Sequence, residues 1–381
     1  VSVTTAKQQH AEDPQTAGVR ERLDALIAEA GVASQRSLIR RIAEAGLGLG
    51  HDGTTRLDLK ITATAVEEMR AAFRLFAPFR GVPKVTIFGS ARTQSHDPLW
   101  VGAEAAARGL AEQGWMVVTG AGPGIMEAAA TGAGPERSLG ISIRLPFEEA
   151  PLDVAADDDH RIAMKYFFTR KLMLVKESRG FICLPGGFGT MDETFELLTL
   201  QQTGKMEPMP IVLLDRDGGT YWRSFARFVV EELAGAGLIA VDDLDRVLVT
   251  DSPEAAIAEV TGFWRNYDSL RWQGERLVLR VRTDPSDAEL ADLNERFSGL
   301  CESGEIARTA PLPSEVADGD ALDLPRIVFT PRRRAVGDLY RLIRALNELE
   351  SAPRELQPVQ RTVGTAGTAG AVGAPGGQLA T

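Results

Sequence analysis

Cysteine is nearly absent from this chain. Its 381 residues hold only Cys183 and Cys301, far apart and without Cys-x-x-Cys or His-rich spacing, so neither a disulfide framework nor a zinc site is expected. Long hydrophobic runs are missing as well. No stretch approaches the roughly 20 apolar residues of a membrane helix, and the opening Val-Ser-Val-Thr-Thr lacks the apolar run of a secretory signal. A cytoplasmic protein with no membrane partner is the expectation. Positive charge is in deficit, and the net charge of -11 argues against general nucleic-acid binding, which demands clustered cations. A small anionic ligand at a local site stays open.

What is present is an ordinary globular composition, 44% hydrophobic and 25% charged, so a folded core rather than wholesale disorder is expected. At roughly 150 residues per domain the length suggests two or three units. Residues 1–80 are read as a flexible start, to about residue 18, followed by helices over 21–30, 34–45 and 63–76, whose Leu, Ile and Ala spacing is helical. From Val82 the pattern changes to short β-rich runs alternating with amphipathic segments. Strands are expected at Lys84–Gly89, Met116–Thr119, Leu139–Ile143, Gly180–Leu184, Pro210–Asp215 and Arg246–Thr250. The fold class is therefore α/β, a Rossmann-like, mostly parallel sheet with helices on both faces over residues 81–266. Residues 267–352 read as a small α/β appendage, with strands at 276–282 and 326–330 and helices at 287–300 and 336–349. Within it, the acidic stretch Glu315–Asp323 reads as a solvated loop and Arg332, Arg333 and Arg334 as a charged helix entrance. Residues 353–381 are a low-complexity tail, rich in Gly, Ala and Thr from Thr362, that buries too little to fold.

Ligands of such sheets bind at the carboxyl ends of the strands, and three turns there are chemically unusual. The first, Phe88-Gly89-Ser90-Ala91-Arg92, brings out a hydroxyl and a guanidinium. The second, Thr119-Gly120-Ala121-Gly122-Pro123-Gly124, precedes an Ala-rich helix. It resembles a dinucleotide fingerprint only superficially, because it follows the second strand and no ribose-binding acid stands in place. The third is the most informative. Leu184-Pro185-Gly186-Gly187-Phe188-Gly189-Thr190-Met191-Asp192-Glu193 leaves an apolar strand, opens a helix near Thr190 and carries a carboxylate into it. Its glycines let backbone amides approach an anion to which the helix presents its positive end, so a phosphate would sit well there. Neither glycine-rich turn is followed by a Walker lysine. Glu193 beside a phosphate costs repulsion unless it has another task.

Residues 162–177 read as a helix apolar nearly all round, with Arg170 and Lys171 at its middle. A guanidinium taken out of water costs several kcal/mol without an anionic partner. Two readings stand side by side: a structural ion pair or snorkelling to the surface, and a pocket shared by Arg170, Glu193 and a substrate. Cys183, inside an apolar strand, reads as a buried small hydrophobe.

In order and spacing, the three turns and the Arg170-Lys171 pair resemble the Lonely Guy family, over roughly residues 80 to 265. Its members are phosphoribohydrolases, once mislabelled lysine decarboxylases. They split cytokinin riboside 5'-monophosphates, and often AMP, into free base and ribose 5-phosphate. The resemblance implies Arg170 and Glu193 as the catalytic pair. It implies Gly186, Gly187, Gly189 and Thr190 as the phosphate cradle, and Ser90, Gly120, Gly122, Gly124 and Lys171 as further substrate-binding residues. It implies no cofactor, no metal, and a homodimer or larger assembly. Thr169 departs from the acidic residue that many short members place before the Arg-Lys pair, and the terminal extensions exceed the minimal family fold. The alternative function is a nucleotide sensor or carrier that uses the same cradle without cleavage. An amino-acid decarboxylase ranks last, since no motif supplies a pyridoxal-phosphate lysine.

Overall fold

The computed structural model describes residues 14–144, 159–332 and 336–354. The expectations for the low-complexity tail, for most of the flexible start and for Arg333 and Arg334 lie outside the described residues. The chain divides into two compact units at the boundary between Glu68 and Met69. The first holds α1 (Pro14–Glu29), α2 (Arg36–His51) and most of α3 (Arg56–Phe76). Ion pairs Arg40–Asp24 at 2.7 Å and Arg20–Glu44 at 3.0 Å join α1 to α2. Such half-exposed pairs contribute about 0.2–1 kcal/mol each.

The second unit is built on seven parallel strands: β1 (Lys84–Phe88), β2 (Met116–Thr119), β3 (Ser138–Ile143), β4 (Arg161–Met164), β5 (Phe181–Cys183), β6 (Ile211–Leu214) and β7 (Val247–Thr250). Their spatial order is β4-β3-β2-β1-β5-β6-β7. Side chains alternate across the strands. Val85, Ile87, Val117, Ile182, Val212 and Leu214 face one side, where they pack with α4 (Pro98–Glu112), α5 (Ile125–Ala133) and α9 (Pro253–Gly262). Phe88, Met116, Val118, Phe181, Cys183, Ile211 and Leu213 face the other. There they meet α6 (Phe167–Lys176), α7 (Phe188–Gln202) and α8 (Tyr221–Phe228). Both faces are apolar because both are covered, which is why these strands read as continuous hydrophobic runs.

The parallel α/β expectation holds, and the strand count is corrected from six to seven. Residues 162–164, expected to begin a helix, instead belong to the edge strand β4 that pairs with β3, and the helix starts only at Phe167. Three consecutive apolar residues are too few to show a period that separates the two outcomes. Beyond Trp264 the expected small mixed α/β arrangement is an antiparallel sheet, ordered β10-β11-β9-β8. It comprises β8 (Tyr267–Gln273), β9 (Arg276–Val281), β10 (Cys301–Arg308) and β11 (Arg326–Pro331), accompanied by α10 (Asp287–Arg296), α11 (Pro313–Asp318) and α12 (Val336–Glu348). Leu277, Leu279, Val281 and Ile327 join the same core as Ile182 and Val260, so the two sheets share one hydrophobic interior.

The acidic stretch is also corrected. Glu315, expected in solvent, is fully buried on α11 and accepts from Arg280 at 2.7 Å and Arg326 at 3.2 Å. Asp320 meets Arg280 at 2.6 Å and Arg271 at 3.1 Å. These acids are counterions of arginines on neighbouring strands, a pairing that linear spacing does not reveal. Cys183 is buried on β5, as expected, and burial pushes its thiol up to about 12. It is inert as a nucleophile.

Candidate functional site

The strand order reverses between β1 and β5, and the three unusual turns leave the carboxyl ends of β1, β2 and β5 beside that reversal. A crevice is expected at such a switch point. A cavity of about 810 Å³ opens there, walled by Ser90, Gly120, Arg170, Gly186, Gly187, Gly189, Thr190 and Glu193 among others.

Close packing sets two of its glycines. A Cβ on Gly186 would stand 2.2 Å from Thr190 Oγ1 and 3.0 Å from the Ser90 amide, so only glycine lets the β5 turn lie against both. On Gly120 a Cβ would stand 2.1 Å from Arg170 Nη2, so the bare backbone makes room for the guanidinium. Gly187 and Gly189 differ. A Cβ on either would meet nothing within 4 Å, and neither has positive φ. The lack of side chains there leaves bare backbone on the cavity wall. Helix α7 begins at Phe188 with no side-chain cap, and its leading amides have no partner within the helix, so this end suits an anion. The helix starts two residues earlier than expected.

Arg170 and Glu193 come from α6 and α7 and meet with Nη1 3.5 Å from Oε1. Arg170 is 8% exposed and donates from Nε to the Ile141 carbonyl at 2.8 Å, which fixes the plane of its guanidinium. Burial lowers its pKa, with Glu193 pulling the other way. Burial raises Glu193 to about 7, against the opposing charges of Arg170 and Lys171. The pair is long and largely dry. The carboxyl group is therefore poised to gain or lose a proton near neutral pH, which suits acid–base work. Of the two readings left open for Arg170, the structure combines them: the ion pair exists, and it lines a cavity.

Three expected binding residues do not line this cavity. Lys171 points its ammonium at Asp192, 2.7 Å away, and Glu196, 3.1 Å away, because those acids lie on the facing side of α7. Gly122 packs under Met126, where a Cβ would stand 2.7 Å from Cε. Gly124 has φ +70 and its Cβ would fall 2.3 Å from the Ser90 carbonyl, so it lets the first two turns touch. Other wall residues had no assigned role in the sequence reading. Tyr221 on α8 donates its hydroxyl to the Gly186 carbonyl at 2.7 Å and braces the cradle from 35 residues away. Phe188, 97% exposed, stands at the cavity rim, and Arg92 lines the wall beyond β1.

The chain is similar to several known proteins. Residues 124–260 match the family model described as "Possible lysine decarboxylase". The chain is 29% identical over 175 residues to a cytokinin riboside 5'-monophosphate phosphoribohydrolase of Mycobacterium marinum, covering 44% of this chain and 88% of the relative. A protein of that name from Mycobacterium tuberculosis is 28% identical over 179 residues, covering 45% of this chain and 90% of its own length. Among solved structures, the molybdenum cofactor binding protein of Rippkaea orientalis is 25% identical with a TM-score of 0.32, covering 46% of this chain and 93% of that one. The resemblance to the Lonely Guy family is borne out by the family model and the relatives.

Proposed function

We propose that this protein is a phosphoribohydrolase that cleaves the N-glycosidic bond of purine or cytokinin nucleoside 5'-monophosphates to free base and ribose 5-phosphate. The observation that carries this reading is the placement of one partly buried carboxyl group. Glu193 titrates near 7 beside Arg170, and it lies on the same helix whose uncapped amino end supplies the anion cradle.

The distances suit the substrate class. With phosphate on the amides of Gly187 to Thr190, Glu193 stands one helical turn further on, about 5 Å along the axis. That span takes a nucleotide from its phosphate toward its anomeric carbon. As the bond from that carbon to the base nitrogen breaks, its electron pair leaves with the base and positive charge builds on the ribose. The Glu193 carboxylate gains interaction energy as this charge appears, and the low-dielectric setting enlarges the gain. Water then adds its oxygen to the anomeric carbon and yields a proton to Glu193, while the departing nitrogen takes a proton from solvent and Glu193 returns its own to solvent. Arg170, anchored through Nε to Ile141, orients the carboxylate and leaves Nη2 beside Gly120 to meet the substrate.

The relatives' names support the reaction class. A decarboxylase gains no support, since among the described residues no lysine lines the cavity. A homodimer or larger assembly belongs to the same proposal. Its support is an apolar surface beside Arg170, where Phe167, Phe168 and Leu172 of α6 are 56%, 54% and 46% exposed. Among the described residues no helix is long and apolar enough to cross a membrane. The cytoplasmic location stays part of the proposal.

The test is incubation of the purified protein with AMP, isopentenyladenosine monophosphate, GMP and CMP, with chromatography for released base. The expected result is release from at least one purine nucleotide and loss of that release in Glu193→Ala and Arg170→Ala. Release that survives both substitutions would place the chemistry elsewhere. Tight binding without release would favour a nucleotide carrier or sensor.

A further inference from the structure

The geometry points to Arg92 as the cation that neutralises the substrate's 5'-phosphate and selects phosphorylated nucleosides over unphosphorylated ones. This inference rests on the nucleotide reading of the cavity. A phosphate at the amino end of α7 brings up to two negative charges close to the Glu193 carboxyl group. The helix end offers the equivalent of about half a positive charge, which leaves most of that charge uncompensated.

The nearby cations are already allotted, with one exception. Arg170 is anchored by the Ile141 carbonyl and its charge is shared with Glu193, and the Nη2 it leaves for substrate lies beside Gly120. Lys171 is held by Asp192 and Glu196 and does not reach the wall. Among the described residues lining the cavity, the only other cation is Arg92. Its hydrogen bonds run through the main chain: its amide donates to Ser90 Oγ at 3.1 Å, and its carbonyl accepts from Gln94 at 3.1 Å. The guanidinium itself has no partner among the described residues. It is exposed, so it waits in solvent without a desolvation cost and offers a planar fork that matches phosphate oxygens.

The turn that carries Arg92 is seated on the cradle. The Ser90 amide donates to the Pro185 carbonyl at 3.3 Å, and a Cβ on Gly186 would lie 3.0 Å from the Ser90 nitrogen. The turn is also held from the far side, where the Ile125 amide donates to the Ser90 carbonyl at 3.0 Å. Arg92 therefore projects from a fixed turn two residues beyond the closest point of contact with the cradle. Its charge acts on a part of the substrate that does not react, so its loss falls on binding more than on the chemical step.

Calorimetric titration of wild type, Arg92→Ala and Arg92→Lys with AMP, adenosine and inorganic phosphate tests this, together with adenine-release kinetics on AMP. Arg92→Ala is expected to weaken AMP and inorganic phosphate by about tenfold to a hundredfold, the range of a charge-assisted hydrogen bond. Adenosine should bind as it does to wild type, KM for AMP should rise more than kcat falls, and Arg92→Lys should recover part of the affinity. Unchanged affinity for AMP in Arg92→Ala, or an equal loss for adenosine, would overturn the assignment. Should the wild type bind AMP without releasing adenine, the hydrolase reading fails while the Arg92 dependence of binding still decides this one. A wild type that binds neither AMP nor phosphate overturns both.

Discussion

Replacing Glu193 by glutamine removes a partly buried carboxyl group whose pKa is raised from 4.5 to about 7, while keeping its shape. A pKa raised by folding means that stability is fully present below the unfolded value and is lost as pH climbs through the folded one. With those two values, the ionising carboxyl group costs the folded state about 1 kcal/mol at pH 5 and about 3 kcal/mol at pH 8. Glutamine does not titrate. The stability difference between Glu193→Gln and wild type should therefore move by about 2 kcal/mol in favour of the variant between pH 5 and pH 8. Any constant effect of the substitution cancels in that change. Urea denaturation of both proteins at pH 5, 6, 7 and 8, followed by circular dichroism, measures it. A difference that stays flat, or that moves toward wild type as pH rises, would show that Glu193 ionises as an ordinary or a lowered acid, and the poised-carboxylate argument would fall.

Three further outcomes are expected. The acid limb of kcat/KM for AMP should lie near pH 7, above the phosphate's own ionisation at about pH 6; a limb near pH 4.5 in a pH–rate profile would contradict it. Gly120→Ala should push Arg170 Nη2 from its place, since the new Cβ would stand 2.1 Å from it. Because a side-chain tip yields easily, the melting temperature should barely change while adenine release falls by about a hundredfold; activity within threefold of wild type would remove Arg170 from the chemistry. Glu315→Ala should destabilise the protein by about 3–5 kcal/mol in denaturant titration, by leaving Arg280 and Arg326 buried without their shared counterion. A loss under 1 kcal/mol would mean that solvent reaches those arginines.

The parts of the fold that could be read from sequence share a physical cause. β1, β2, β5 and β6 lie between two covered faces, so apart from Lys84, Thr86 and Thr119 their positions are apolar and each strand announces itself. β4 is a four-residue edge strand whose sequence runs directly toward a helix, and β10 is a largely exposed strand with register shifts against β11, so neither carries that signature. The glycine-rich start of α7 was legible because bare backbone at a helix start is a local property of consecutive residues. Pairings across the fold were not. Arg170 and Glu193 are 23 residues apart, Glu315 finds Arg280 35 residues away, and Tyr221 braces Gly186 from another 35-residue separation. Lys171 shows the converse: adjacency to Arg170 in sequence turns its ammonium toward different acids on α7.

The most direct test holds binding and chemistry apart in one preparation. AMP affinity by calorimetry and adenine release by chromatography should be measured side by side for wild type and Glu193→Ala. The account predicts that the variant binds AMP at least as tightly as wild type, with one negative charge fewer beside the phosphate, and releases adenine at least a hundredfold more slowly. Equal rates of adenine release from the two proteins would contradict it.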